Sequence, residues 1–297
     1  MSASTPAASP LGSAASASTA RAATAPRPAP RRSRGLGNWL LPTYSVLALV
    51  FLLIPIVYTI VFSFNKSLKS NISWNGFTFS NWTNVCDQQD VCAAFGTSIL
   101  IGVTATVIAT TLGTMIAIAL VRYRFRFRAV TSLLIFLPMA TPEVVMGAGL
   151  AAQFLSAGVP KGIGTIIIAH SMFCLSFVVV TVKARVASLD PALEEAGRDL
   201  YGSPSQVFMR VTFPLLLPGI LAAALLSFSL SFDDFIITYF NAGTVQTFPT
   251  YIYISATRGI PAQANVIASA VFLIAIAIVV ISQIVTQSRA KRLAKVQ

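Results

Sequence analysis

Residues 213–240 read FPLLLPGILAAALLSFSLSFDDFIITYF, a run in which Asp233 and Asp234 are the only charged side chains. About 20 residues at roughly 1.5 Å each cover the ~30 Å hydrocarbon thickness of a bilayer, so the run reads as a membrane-spanning helix. Outward from it the chain repeats the pattern near residues 40–64, 94–121, 129–157, 162–182 and 262–288. Hydrophobic residues make up 55% of the 297 positions and charged residues only 10%, against roughly 25% in soluble domains. The sequence therefore predicts an all-α polytopic membrane protein with six transmembrane helices. A disordered chain, a secreted disulfide scaffold and a soluble nucleic-acid-binding domain are excluded as its main character.

The net charge of +12 has a topological reading. Lys and Arg collect in cytoplasmic loops. With the N-terminus inside, 17 of the 21 basic residues fall on the cytoplasmic side: Arg21 to Arg34, Arg122 to Arg128, Lys183, Arg185, Arg198, Arg210, and the tail from Arg289 to Lys295. Only Lys66, Lys69, Lys161 and Arg258 face out. Both termini are thus expected in the cytoplasm, and the positive charge needs no nucleic-acid partner.

Four regions follow. Residues 1–35, rich in Ala, Ser, Thr and Pro with five arginines, read as a disordered cytoplasmic tail that can bury no core. Residues 36–93 hold the first span and an external loop. A signal peptide competes for that span, but the run is longer than the 7–15 residues of a signal core and no small-x-small cleavage site follows. Residues 94–288 form a five-helix core that includes the cytoplasmic loop 183–214, and 289–297 are a basic tail. In the external loop Cys86 and Cys92 face an oxidising compartment, either as a local disulfide or as two free thiols. Cys174 reads as an apolar core residue. One His and no Cys/His cluster point to no metal site. Pro138 and Pro142, with Gly147 and Gly149 behind them, predict kinked or unwound backbone in the third span.

The loop after the fourth span reads as a helical hairpin. Asp190 caps a helix with Pro191 at its first position, and Leu189, Leu193, Ala196, Gly197 and Leu200 recur as one apolar face, leaving Glu194, Glu195, Arg198 and Asp199 on the polar surface. Ser203 and Gln206 form a capping box for a second helix carrying Val207, Phe208 and Val211. Such a hairpin suits docking to a protein; the rival is a helix lying on lipid, which ordinarily favours Lys and Arg on its polar face.

Glu195-Ala196-Gly197-Arg198-Asp199-Leu200-Tyr201-Gly202-Ser203-Pro204, continuing to Val211-Thr212-Phe213-Pro214, resembles the EAA loop of permease subunits of ATP-binding-cassette importers. Gly197 replaces the second alanine of that pattern, and Tyr201 stands where glycine is usual, with Gly202 one residue later. Pro138-Met139-Ala140-Thr141-Pro142-Glu143, Ser231-Phe232-Asp233-Asp234-Phe235 and Phe248-Pro249-Thr250-Tyr251 are similar to the spermidine/putrescine branch, the second permease subunit above all. The resemblance implies a type I importer permease with a cytoplasmic coupling hairpin in a bacterial inner membrane. It implies as partners a cytoplasmic ATPase dimer gripping Glu194, Glu195, Ala196, Gly197, Arg198, Asp199 and Gly202, a second permease subunit making a heterodimer, and an extracytoplasmic solute-binding protein. No G-x-x-x-x-G-K-[ST] loop is present, so this chain is expected to be non-catalytic and to bind no cofactor itself, ATP and Mg being used by the partner ATPase.

Glu143, Asp233 and Asp234 are the acids inside predicted spans. Each costs about 2.5–3.5 kcal/mol at a helix centre, which makes it a candidate site residue. On straight helices Glu143 and Asp233 sit at similar heights, about 21–22 Å from the inner face. Adjacent residues point about 100° apart, so one of Asp233 and Asp234 is expected to line a pathway, with Tyr239 offering a ring face to a cation. The other reading has the acids satisfying a hydroxyl, an Arg or a freed backbone N–H. His170 is expected to be hydrogen-bonded within the bundle rather than on the path. An importer of another small solute, a six-helix channel or secondary transporter and, more distantly, a membrane enzyme remain as alternatives.

Overall fold

The computed structural model describes residues 37–66 and 73–294. The chain divides into two units, Met1–Leu52 and Leu53–Gln297. The expected tail 1–35 and the end of the basic tail lie outside the described residues. In the first unit, helix α1 (Gly37–Ser63) begins with apolar side chains that are exposed throughout, Trp39, Leu40, Leu41 and Leu47 among them. The candidate site lies wholly in the second unit.

Five helices are long and apolar enough to cross a membrane, and a further apolar pair, bent by 109° at its break, brings the number to six if the two are counted as one span. The core is built from α3 (Gln89–Arg122), α6 (Ile163–Ala187) and α9 (Phe213–Asp233). Along α3, Ala105, Ala109, Gly113 and Ala117 recur every four residues and are buried. Small side chains on one stripe let membrane helices approach closely. At Gly113 the fit leaves no room for a methyl group, since a Cβ there would lie 2.6 Å from Val178 Cγ1.

The third span departs from a straight helix. It consists of α4 (Arg128–Ala140) and α5 (Glu143–Ser156), separated by extended Thr141 and Pro142. Pro142 lacks the N–H that would continue α4 and disfavours helical backbone at Thr141. The break falls at Pro142 as expected, whereas Pro138, expected to interrupt the span as well, lies inside α4, and the 109° bend removes the straight helix on which the height of Glu143 was reckoned.

The hairpin also differs in form. Helix α7 (Ala192–Asp199) is present, with the Asp190 carboxylate accepting from Ala192 N–H at 2.9 Å. The Ser203–Gln206 capping box opens α8 (Pro204–Val207) as expected. That helix does not stop, however: it runs through a π-helical turn, Phe208–Thr212, directly into α9. Beyond α9 lie α10 (Ile236–Asn241), α11 (Phe248–Ala256) and α12 (Ala262–Ala294).

Between α1 and α3, Asn65 pairs with Phe77 in an isolated antiparallel bridge, and Phe64 stacks between Phe77 and Trp82. A short helix, α2 (Ser80–Thr83), follows, and Cys86 and Cys92 are joined as a disulfide. Of the two readings left open for these thiols, the structure has the local bridge.

Candidate functional site

Span five is broken as well, at its pair of acids, where no proline or glycine announces it. Helix α9 ends at Asp233; Asp234 takes φ −63 and ψ 123, and α10 starts two residues later. A break at membrane depth frees backbone N–H groups that lipid cannot satisfy. The Asp234 carboxylate takes them: Oδ2 accepts from Thr238 N–H at 2.8 Å and Oδ1 from Ile237 N–H at 3.3 Å. It also accepts from the Thr238 hydroxyl at 3.1 Å, and His170 Nε2 lies 3.1 Å from the same oxygen. Asp234 is buried, 8% exposed, and His170 1%. His170 thus sits in the hydrogen-bonded interior that its sequence context suggested.

Asp233 has the opposite environment. It is exposed, carries no salt bridge among the described residues, and lies on the wall of a cavity of about 560 Å³ lined by α9, α11, α12 and Thr59 of α1. The other walls are Phe232, Phe248, Pro249, Ile252, Ile260, Ala264, Ala268 and Val271, with Thr59 of α1 and Asn265 of α12 as polar members. An unpaired carboxylate on an apolar, partly aromatic surface attracts a cation that also carries hydrocarbon. The structure therefore separates two acids that the sequence shows side by side.

Glu143 is the first residue of α5, exposed and without an ion pair among the described residues, and it does not line the Asp233 cavity. The two broken spans nevertheless meet beyond their breaks. Asn241 of α10 donates to Gly147 O of α5 at 3.2 Å, and a Cβ on Gly147 would lie 3.3 Å from Ile237 Cα. Tyr239 is exposed on α10, clustered with Phe235, Phe240 and Tyr253, and lines a separate cavity of about 390 Å³ with Gln246 and Thr250. Glu143, Asp233 and Tyr239 are thus not gathered around one cavity. Among the described residues no group of three or more His, Cys, Asp or Glu is arranged for a metal ion.

At the arginine-rich end of the bundle, α7 holds a second cluster. Glu194, assigned from sequence to the polar surface, faces inward: Arg122 Nη2 donates to it at 2.7 Å and the Thr212 hydroxyl at 3.0 Å. It clamps α7 to the end of α3 and to the π-turn. Gly197 packs on Val207, and a Cβ on Gly202 would lie 2.7 Å from Gly197 O, so both glycines serve the hairpin's own close approach. Glu195, Ala196, Arg198 and Asp199 are exposed. Leu200, assigned to the inward apolar face, is 83% exposed, and Tyr201 is fully exposed at φ 57. The reason is local. Helix α7 ends at Asp199, and the left-handed turn at Tyr201 swings Leu200 and its own ring away from the bundle. Neither exposure was legible from helical spacing, which assumed that α7 ran on through Leu200, and Leu193 and Ala196, expected on the same apolar face, are exposed too.

The pattern of the family described as "Binding-protein-dependent transport system inner membrane component" matches residues 109–295. Similar relatives include the spermidine/putrescine transport system permease protein PotC of Haemophilus influenzae, 33% identical over 238 residues, covering 80% of this chain and 92% of that protein. The putrescine transport system permease protein PotI of Escherichia coli K12 is 32% identical over 232 residues, covering 75% and 82%. Among solved structures, a bacterial ABC transporter involved in the import of the acidic polysaccharide alginate has a similar fold, with TM-score 0.58 at 17% identity over 86% of this chain and 98% of that one.

Proposed function

Because the chain belongs to the binding-protein-dependent transport system inner membrane component family, we propose that it forms one half of the pathway of an ATP-driven importer for spermidine or putrescine. Family membership makes it a transport permease of the inner membrane and displaces the channel and secondary-transporter readings. The single observation that carries the solute class is Asp233, a carboxylate without an ion pair among the described residues, in a mainly apolar and partly aromatic cavity. A polyamine alternates ammonium groups with methylene runs, and such a wall offers a partner to both. The alginate importer has the same fold with a polyanionic solute, so fold alone does not choose. The names of the similar permeases point the same way as Asp233.

In this reading both termini are cytoplasmic, and a partner ATPase dimer, using ATP and Mg, grips the exposed side of α7. Glu195, Arg198 and Asp199 supply charge there, while Leu200 and Tyr201 project as apolar anchors. Glu194 keeps α7 attached to α3, so movement of the ATPase pulls on the membrane helices rather than on a loose loop. A second permease subunit completes the pathway, and an external binding protein delivers solute. Glu143 and Tyr239 serve the path outside the Asp233 cavity.

The test is purification of the native complex in mild detergent, with and without Glu195→Lys. Co-purification of an ATPase and a second six-span subunit, with the ATPase lost in the variant, is the expected result. A homo-oligomer of this chain alone in both preparations would overturn the assignment.

A further inference from the structure

His170 is the one imidazole of the chain, and its two nitrogens reach opposite sides of the break in span five. Nδ1 lies 2.7 Å from the hydroxyl of Ser231, in the last turn of α9. Nε2 lies 3.1 Å from Asp234 and 2.9 Å from Thr238 Oγ1, in the first turn of α10. One rigid ring on α6 therefore fixes the end of one helix and the start of the next. The arrangement is complete with the proton on Nε2, donating to Asp234, while Nδ1 accepts from Ser231.

With that donor, Asp234 has four hydrogen bonds: from His170, from the hydroxyl and N–H of Thr238, and from Ile237 N–H. Three of these bonds fall on Oδ2 and one on Oδ1, and the residue is 8% exposed, so the carboxylate is engaged within the bundle rather than presented to a solute. Adjacent helical residues diverge by about 100°. While Asp234 is held inward against α6, Asp233 is turned toward the cavity between α11 and α12. The orientation of the cavity acid is thus set by the partner of its neighbour.

We propose that His170 and Asp234 are positioning residues: their buried pair locks the break in span five so that Asp233, and not Asp234, presents its carboxylate to the transported cation. The proposal rests on the reading of Asp233 given above and deepens it. The two acids are not interchangeable copies. One carries the charge met by solute, and the other holds it in place.

Two measurements separate this proposal from that reading. The first uses the complete importer in proteoliposomes and the KM for labelled spermidine. D233N and H170A are each expected to raise KM about tenfold, the order expected for loss of one charge-assisted hydrogen bond. The double variant is expected to be no worse than D233N, because the imidazole acts through Asp233. H170Q, whose amide can donate to Asp234 and accept from Ser231, is expected to stay within about threefold of the parent. Effects of H170A and D233N that multiply would overturn the positioning role.

The second measurement needs no solute. Cys174 is buried and Cys86 is bonded to Cys92, so D233C supplies the reactive thiol for ethylammonium methanethiosulfonate. Its labelling is expected to slow about tenfold in H170A and to recover in H170Q. Unchanged labelling in H170A overturns the proposal; labelling that slows while D233N leaves KM unaltered upholds the positioning and removes the solute role of Asp233. If H170A does not assemble, S231A removes only the grip on α9 and carries both comparisons.

Discussion

Tyr201 permits the sharpest prediction on the coupling side. It is fully exposed and holds φ 57, a conformation that L residues adopt at a cost of about 1–2 kcal/mol and glycine adopts freely. Tyr201→Gly removes that strain but adds unfolded-state freedom worth about 0.5–1 kcal/mol, leaving a net gain of up to about 1.5 kcal/mol in the isolated chain. Tyr201→Ala removes the ring and keeps the strain. In detergent, the melting temperature is expected to rise by roughly one to three degrees for Y201G and to stay unchanged for Y201A. Affinity for the ATPase should respond differently. A ring that is wholly exposed in the chain and buried by a partner is worth about 2 kcal/mol, or about 30-fold in Kd. Both variants are expected to lose that factor in a binding titration with purified ATPase, and Y201F to keep most of it. Full affinity in Y201G and Y201A would refute the docking argument, and a lower melting temperature in Y201G would refute the strain argument.

Glu194→Ala removes the clamp to Arg122 and Thr212; for a pair about one-fifth exposed the loss is about 2 kcal/mol, read as roughly 30-fold faster amide exchange across 192–199. Gly113→Ala places a methyl group 2.6 Å from Val178 Cγ1 and 2.9 Å from its Cβ, so the α3–α6 crossing should lose about 1–3 kcal/mol, with lowered thermal stability that Val178→Ala partly restores. Replacing Cys86 and Cys92 together by Ser opens a short loop worth about 2 kcal/mol, so proteolysis between residues 80 and 95 should quicken while ATPase binding is unaffected.

Spans, caps and breaks enforced by proline were legible because their causes are local. The Ser203–Gln206 capping box and the interruption at Pro142 each depend on residues within four positions. The break at Asp234 was hidden because no proline or glycine marks it. Its cause is a set of hydrogen bonds, one of which reaches back to His170, 64 residues away. Glu194 was misread for the same reason, since its partner Arg122 lies 72 residues upstream and looked like one of four topogenic arginines. The substitution of Tyr201 for the glycine of the resembled pattern was visible. That the tyrosine keeps a left-handed turn, and so projects Leu200 and itself outward, required coordinates. Of the two acids, periodicity showed that they must diverge, but only the network around Asp234 shows which one is engaged.

The most direct measurement is uptake of labelled spermidine and putrescine by proteoliposomes containing this chain, its permease partner, the ATPase and the binding protein. ATP-dependent accumulation of polyamine, reduced in D233N while the complex stays assembled, is the predicted result. An assembled complex whose ATPase responds to its loaded binding protein, yet which accumulates neither polyamine, would contradict it.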